Sequence, residues 1–393
     1  MSPESRFTGF TPASGEESPG LYLHIPFCKS RCAYCSFNSY ACQSPPAAYL
    51  TALASQIRYW GAQQWSRERT FATLFIGGGT PTIYGGNELA ELVGLCLASF
   101  NFTEDAEITV EANPNTVTVP MLTSLRRAGV NRLSLGVQAF SDRLLGALGR
   151  SHTKGEAHAA IKGARRAGFT NINLDLMYGL PGQSATDWRE SLDQALAFGP
   201  EHLACYELTI EEETPFSRLV EKGALTLPGE EEVLAMAALT HDLLAQAGLE
   251  RYEISNYAAS GNQCRHNLNY WRNGSYLGLG AGAVSCLSGF RFSTVEEPEA
   301  FAALVQKGEL PLSEGECLSL AARFRESVVM GLRMIEGISL ARLQRRFGLT
   351  PAGYYGKMLE ELQEQGLIVL ASDSLRLTEA GLPVANQVLS RLV

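Results

Sequence analysis

The chain lacks any run of about eighteen uncharged apolar residues, which argues against a membrane-spanning helix. Its longest apolar stretch, Tyr276 to Phe290, is broken by Gly278, Gly280, Gly282 and Gly289 and reads as a packed loop or buried strand. An excess of basic charge is also missing. Thirty-two Lys and Arg face 41 Asp and Glu, a net charge of −9, which argues against general nucleic-acid binding. Residues 1–20 have no apolar core and a single Arg. They match neither a secretory signal nor a transit peptide, read as a disordered tail, and leave a cytoplasmic location as the expectation. A disulfide framework has little support: nine cysteines, an odd number, in a long chain without an export signal favour metal or redox use. With 45% hydrophobic and 19% charged residues, the rest has the composition of a folded globular protein.

From Leu21 onward, short apolar runs alternate with helical periodicity. Strand-like runs are Leu21 to Ile25, Ala72 to Ile76, Ile108 to Glu111, Leu133 to Val137, Ile172 to Leu176 and Leu203 to Leu208. Helical periodicity covers Ala47 to Tyr59, Glu88 to Ser99, Val119 to Ala128, Glu156 to Ala167 and Trp188 to Phe198, with Gly129 and Gly168 as stops. Successive βα units predict a parallel sheet with helices outside it. Gly77, Gly78 and Gly79 are contiguous, unlike the spaced G-x-G-x-x-G of a dinucleotide-binding fold. The expected fold is therefore α/β, a partial (β/α)6 TIM-like barrel over residues 21–250. Glu111, Gln138, Asp175 and Glu207 end predicted strands, where such barrels carry their active sites. Each alone also fits a helix cap or a strand-end hydrogen bond.

Beyond residue 250 the alternation fades, although Glu230 to Ala247 is still helical. Residues 251–315 read as an irregular connecting region. Residues 316–393 read as a separate helical domain: helices over Leu318 to Arg333, Ser339 to Phe347 and Pro351 to Gln365, then a strand–turn–strand over Leu367 to Leu377. This resembles a winged helix. Nine Lys and Arg against eight Asp and Glu there are too few for a phosphate footprint, despite Arg342, Arg345 and Arg346. A cover over the core is expected, not a reader of DNA.

The sharpest signal is Cys28-Lys29-Ser30-Arg31-Cys32-Ala33-Tyr34-Cys35, directly after the first predicted strand. Three thiolates on one loop can grip three corners of an iron–sulfur cubane and leave one iron open. A zinc site would need His24 or Cys42 as a fourth ligand and lacks a second pair at knuckle spacing. A cluster of buried thiols is the plainer alternative, with Lys29, Ser30 and Arg31 awkward for it.

C-x-x-x-C-x-x-C after a first strand resembles the radical S-adenosylmethionine superfamily, and Gly77-Gly78-Gly79-Thr80-Pro81 is similar to that superfamily's motif for the methionine amino group. The resemblance implies a [4Fe-4S] cluster whose open iron is chelated by S-adenosylmethionine. Tyr22-Leu23-His24-Ile25-Pro26-Phe27-Cys28, Gly136-Val137-Gln138 and Asp175-Leu176-Met177-Tyr178-Gly179-Leu180-Pro181-Gly182 more closely resemble the oxygen-independent coproporphyrinogen III oxidase family, from about Leu21 to the C-terminus. By motif position this implies cluster binding by Cys28, Cys32 and Cys35. It implies S-adenosylmethionine contacts from Tyr22, Tyr34, Gly78, Gly79, Thr80, Glu111, Gln138, Arg150 and Asp175, with Arg150 suited to a carboxylate.

Two branches of that family compete. The oxidase branch carries a further Cys two positions after the third, and here those positions are Ser36 and Phe37. The continuation resembles the heme-chaperone branch, as does His266-Asn267-Leu268-Asn269-Tyr270-Trp271, an H-N-x-x-Y-W motif. The resemblance implies heme as a bound group, with His266 a candidate iron ligand, Cys264 a weaker one and aromatic rings against the porphyrin. His266, Tyr270 and Trp271 fit equally well as pins holding a loop beneath the barrel. The expected partners are heme, acceptor hemoproteins such as membrane-associated respiratory enzymes, and an electron donor to the cluster. The competing expectation is oxidative decarboxylation of coproporphyrinogen III.

Overall fold

The computed structural model describes residues 18–393. The tail expected over residues 1–20 lies outside the described residues as far as residue 17, and Gly20 already opens the first strand. The main sheet has twelve strands. In chain order they are β1 (Gly20–Ile25), β2 (Thr70–Gly78), β3 (Asn101–Ala112), β4 (Arg132–Gln138), β5 (Ile172–Tyr178), β6 (His202–Glu207), β7 (Glu250–Arg251), β8 (Asn256–Ala258), β9 (Tyr276–Leu279), β10 (Val284–Leu287), β11 (Phe290–Thr294) and β12 (Leu312–Cys317). Strands β1 to β6 lie side by side in sequence order, all parallel, as the expected (β/α)6 core requires.

Period-2 alternation builds this core. Leu21, Leu23 and Ile25 are fully buried on the outer face of β1, in one cluster with Leu53 and Ile57 of α1 (Ala47–Ala62). Each such side chain contributes roughly 1.5–3 kcal/mol on leaving water. Helices α2 (Gly86–Ser99), α3 (Val119–Arg127), α4 (Lys154–Arg166) and α5 (Ala185–Leu196) follow β2 to β5. Thr153 and Ser184 start α4 and α5 with reciprocal capping boxes to Glu156 and Asp187.

The barrel stays open. β9 pairs parallel to the free side of β1, and β8 pairs antiparallel to β6, so β1 and β6 never meet. The stretch 251–315 is thus not irregular. It supplies β8 to β12, together with α7 (Arg265–Trp271), which follows α6 (Glu230–Gln246), and α8 (Pro298–Gln306). Its glycines masked the strand pattern. Gly278 is needed there because a Cβ would stand 2.1 Å from the Val284 carbonyl oxygen.

Past α9 (Leu320–Gly331) and α10 (Leu340–Phe347), a three-stranded antiparallel sheet joins Ile338–Ser339, Ser374–Leu377 and Ile368–Leu370. It shares a core of its own with Phe324, Leu343, Leu362 and Val388. The helix expected over Pro351 to Gln365 is two, Pro351–Tyr355 and Lys357–Glu364, split at Gly356 with φ 53°. Among the described residues, no helix is long and apolar enough to cross a membrane.

Candidate functional site

The cysteine loop leaves the C-terminal end of β1 and is pinned at both ends. Phe27–Cys28 forms a short ladder with Tyr40–Ala41, and the Ala33 N–H donates to the Leu148 carbonyl at 3.2 Å. All three thiols are partly accessible. Burial pushes the Cys28 thiol up, and Cys35 and Cys32 add to this through their own charge. Among the described residues no three His, Cys, Asp or Glu side chains gather closely enough to hold a single metal ion. A cubane places its thiolates on separate irons, so it does not require three donors around one metal ion.

A polar relay ties this loop to the barrel. The Thr80 hydroxyl donates to Cys28 Sγ at 3.5 Å and accepts from Asn113 Nδ2 at 2.9 Å. Arg150 Nη2 donates to Asn113 Oδ1 and, at 2.7 Å, to the Gly136 carbonyl. Arg150 Nη1 closes the relay on Cys32 Sγ at 3.4 Å. Gly136 sits where these groups converge: a Cβ there would lie 3.1–3.2 Å from Asn113 Oδ1, Arg150 Nη2 and Gln138 Nε2. Gln138 holds φ 65°, the left-handed region that non-glycine residues rarely occupy. Tyr34 lies beside Arg150, Cys32 and Cys35, and burial pushes its hydroxyl up.

The glycine run forms a cradle beside the relay. Gly78 has φ +114°, and a Cβ on it would stand 2.6 Å from the His24 ring. That ring is fixed by the Tyr22 hydroxyl at 2.9 Å on Nδ1 and the Asn38 carbonyl at 2.9 Å on Nε2. At Gly77 a Cβ would meet Glu111 Oε2 at 2.7 Å, and at Gly79 the Phe27 carbonyl oxygen at 2.6 Å. The Gly78 N–H donates to Glu111 Oε2 at 3.1 Å.

Glu111 and Asp175 face the same crevice. Burial, then the Asp175 charge, push the Glu111 carboxyl up to about 8. Burial pushes Asp175 up to about 6, opposed by its hydrogen bond from Asn173 and by the charges of Arg132 and Arg150. Two half-buried carboxyls beside a glycine cradle suit a cationic ligand, whose charge restores their ionised forms. The thiols, the cradle and this carboxyl pair fit a cluster with S-adenosylmethionine. Glu207, the third strand-end carboxylate, stands apart: it is exposed and lies beside Tyr178.

Sequence reasoning missed Asn113, which joins Thr80 to Arg150, and Arg132, whose guanidinium is buried inside the barrel. Burial opposes the Arg132 charge, and Cys264, Glu107, Tyr252 and Asp175 outweigh that. It also missed a hydrogen-bonded column running down from the crevice. The Cys264 N–H donates to the Tyr252 hydroxyl at 3.2 Å; because Asn173 Oδ1 can only accept from His202 Nδ1, the neutral ring's Nε2 accepts from that hydroxyl at 2.8 Å. His202 Nδ1–H then donates to Asn173 Oδ1 at 2.6 Å, and Asn173 Nδ2 donates to Asp175 Oδ1 at 2.6 Å. Strand pairing creates the column: Glu111, Ser134, Asn173 and His202 lie opposite one another across four strands, an alignment that no local signal in the sequence marks.

His266 is elsewhere. It is 1% exposed, beneath Gly20 and Thr73 near the N-terminal ends of β1 and β2 and away from the cysteine loop. Its Nδ1 bonds Thr73 Oγ1 at 2.7 Å and its Nε2 bonds the Tyr270 hydroxyl at 3.0 Å. Its ring stacks on Phe75 at 5.1 Å, and burial, then Arg132, push its pKa down to about 3. Both ring nitrogens are therefore engaged, which makes His266 a packed, neutral core residue in this conformation, not an open iron ligand. Trp271 lies against Arg333 at 4.5 Å and joins the barrel to the C-terminal domain. Cys264 is fully buried.

The radical SAM superfamily model matches residues 22–195, and the HemN C-terminal domain model matches residues 318–384. The chain is 37% identical over 369 residues to the heme chaperone HemW of Bacillus subtilis, covering 93% of this chain and 97% of that one. It is 43% identical over 265 residues to the heme chaperone HemW of Escherichia coli, covering 67% and 68%. Among solved structures it is similar to the coproporphyrinogen III oxidase HemN of Escherichia coli, a radical SAM enzyme. That match has a TM-score of 0.82 and 25% identity, over 96% of this chain and 90% of that one.

Proposed function

Since the chain belongs to the HemW family of the radical SAM superfamily, we propose that it binds heme and transfers it to acceptor hemoproteins, with a [4Fe-4S] cluster and S-adenosylmethionine held at the cysteine loop. Cys28, Cys32 and Cys35 hold the cluster. Gly78, Gly79 and Glu111 receive the methionine ammonium, Arg150 its carboxylate, and Gln138 and Asp175 the ribose hydroxyls. Tyr22 fixes His24 behind the cradle, Thr80 orients Cys28, and Tyr34 packs over the loop beside Arg150. When bound, the cluster supplies single electrons to the sulfonium. The chain's own groups position the ligand and hold two half-buried carboxyls toward it. An electron donor, membrane-associated acceptors and a cytoplasmic location belong to the same reading.

The observation that carries a chaperone over an oxidase is Phe37. The oxidase branch has a cysteine at this position, and here an aromatic ring stands 66% exposed at the edge of the cluster loop. The test is heme titration of the anaerobically reconstituted protein, followed by absorbance, beside a coproporphyrinogen III decarboxylation assay. Saturation near one heme per chain without decarboxylation supports the chaperone. Catalytic turnover without saturable heme binding overturns it.

A further inference from the structure

A cavity of about 450 Å³ opens between the foot of the barrel and the C-terminal domain, within the range of small-molecule sites. Tyr252, Leu268 and Ile335 give it an apolar floor. Tyr252 is immobilised there by its bonds to Cys264 N and His202. Three guanidinium groups line it from three separate elements: Arg251 from β7, Arg272 from the end of α7, and Arg376 from the strand Ser374–Leu377.

These arginines are only partly satisfied. Arg251 uses Nε and Nη2 on the Ile254 carbonyl, which leaves Nη1. Arg272 meets Glu336, the single acidic lining residue, at 3.4 Å on an exposed edge. Arg376 has no carboxylate partner among the described residues. Three cations against one anion make this a locally cationic cleft in a chain of net charge −9. Arginine forks match carboxylates in geometry as well as charge. An apolar floor with guanidinium groups at its rim fits a ligand with an apolar body and more than one carboxylate.

We propose that this interdomain cleft is a binding site for a dicarboxylate with an apolar body, held by Arg251 and Arg376. On the heme reading above, on which this rests, that ligand is the tetrapyrrole and its two propionates are the carboxylates. The site leaves His266 packed in the core and needs no ring nitrogen from it.

The test uses the full chain with its cluster and two probes, heme and heme dimethyl ester, whose propionates are capped. Arg251→Gln with Arg376→Gln is compared with Arg345→Gln, an exposed arginine of the same domain outside the cleft. The double variant is expected to bind heme at least tenfold more weakly. Wild type should bind the ester weakly, with no further loss in the double variant, and Arg345→Gln should match wild type. Heme bound equally well by wild type and double variant overturns the cleft and leaves the heme reading standing. So does an ester bound as tightly as heme, or equal loss of both probes in the double variant. Wild type that binds no heme overturns both.

Discussion

Replacing Glu111 with Gln should make the empty protein more stable and the ligand-binding protein worse. The carboxyl is held near 8 in the fold against 4.5 in a free chain, because it is largely withdrawn from water and faces Asp175. A folded-state pKa above the unfolded one means that the fold holds the proton more tightly. Stability from this group is thus full below about 4.5 and declines as pH rises toward about 8. Roughly 2.5 pH units separate the free value from pH 7, at about 1.36 kcal/mol each, so the empty fold, which keeps the proton while the unfolded chain releases it, loses about 3 kcal/mol of stability there. Gln keeps an acceptor for the Gly78 N–H and carries no charge. Thermal unfolding at pH 7 without ligand should therefore shift upward by several degrees. The wild-type decline in stability between about pH 5 and 8 should flatten in the variant. S-adenosylmethionine affinity, by calorimetry on cluster-loaded protein, should fall by tenfold or more, since a charge-assisted hydrogen bond of ~1.5–3 kcal/mol is lost. Wild-type affinity should itself rise with pH over the same interval. An unchanged or lower melting temperature, with affinity intact, would refute both the burial argument and the place of Glu111 in the pocket.

Three further outcomes follow from the same geometry. Cys28→Ala, Cys32→Ala and Cys35→Ala should each abolish the cluster's visible absorption, whereas Cys42→Ala should retain about four irons per chain by iron analysis. Gly78→Ala places a methyl group 2.6 Å from a hydrogen-bonded His24 ring at φ +114°, so it should cost about 1–3 kcal/mol in denaturant unfolding and weaken S-adenosylmethionine binding. His266→Ala removes a buried ring bonded on both sides, so it should destabilise the fold by about 2–4 kcal/mol. The Soret spectrum of any heme still bound should stay as in wild type, and a changed axial-ligand signature would restore His266 as the ligand.

The core was legible because its signals are local. Leu21, Leu23 and Ile25 alternate with Gly20, Tyr22 and His24 within six residues, and the cysteine spacing needs only one loop. Glu111 and Gln138 stand at or next to the ends of β3 and β4, as the strand reading expects of a parallel βα sheet, whereas Asp175 lies inside β5, which runs on to Tyr178. Pairing between distant segments was not legible. β9 joins β1 across about 250 residues, with no mark in either stretch. Asn113, Arg132 and His202 are single polar residues in or beside apolar runs, and their meaning appears only when neighbouring strands set them in register. The H-N-x-x-Y-W motif shows the reverse problem. Its spacing is evident, yet whether His266 faces a ligand or the core depends on Thr73 and Tyr270, which only the fold brings to it.

Heme delivery itself tests the account most directly. The cluster-containing protein would be loaded with heme, freed of excess, and mixed with heme-depleted membranes that carry an apo-hemoprotein, with coproporphyrinogen III supplied in a parallel reducing, oxygen-free reaction. Heme is expected to leave this chain and appear on the acceptor while coproporphyrinogen III is untouched. Repeated conversion of coproporphyrinogen III to protoporphyrinogen IX, with no heme loaded or passed on, would contradict it.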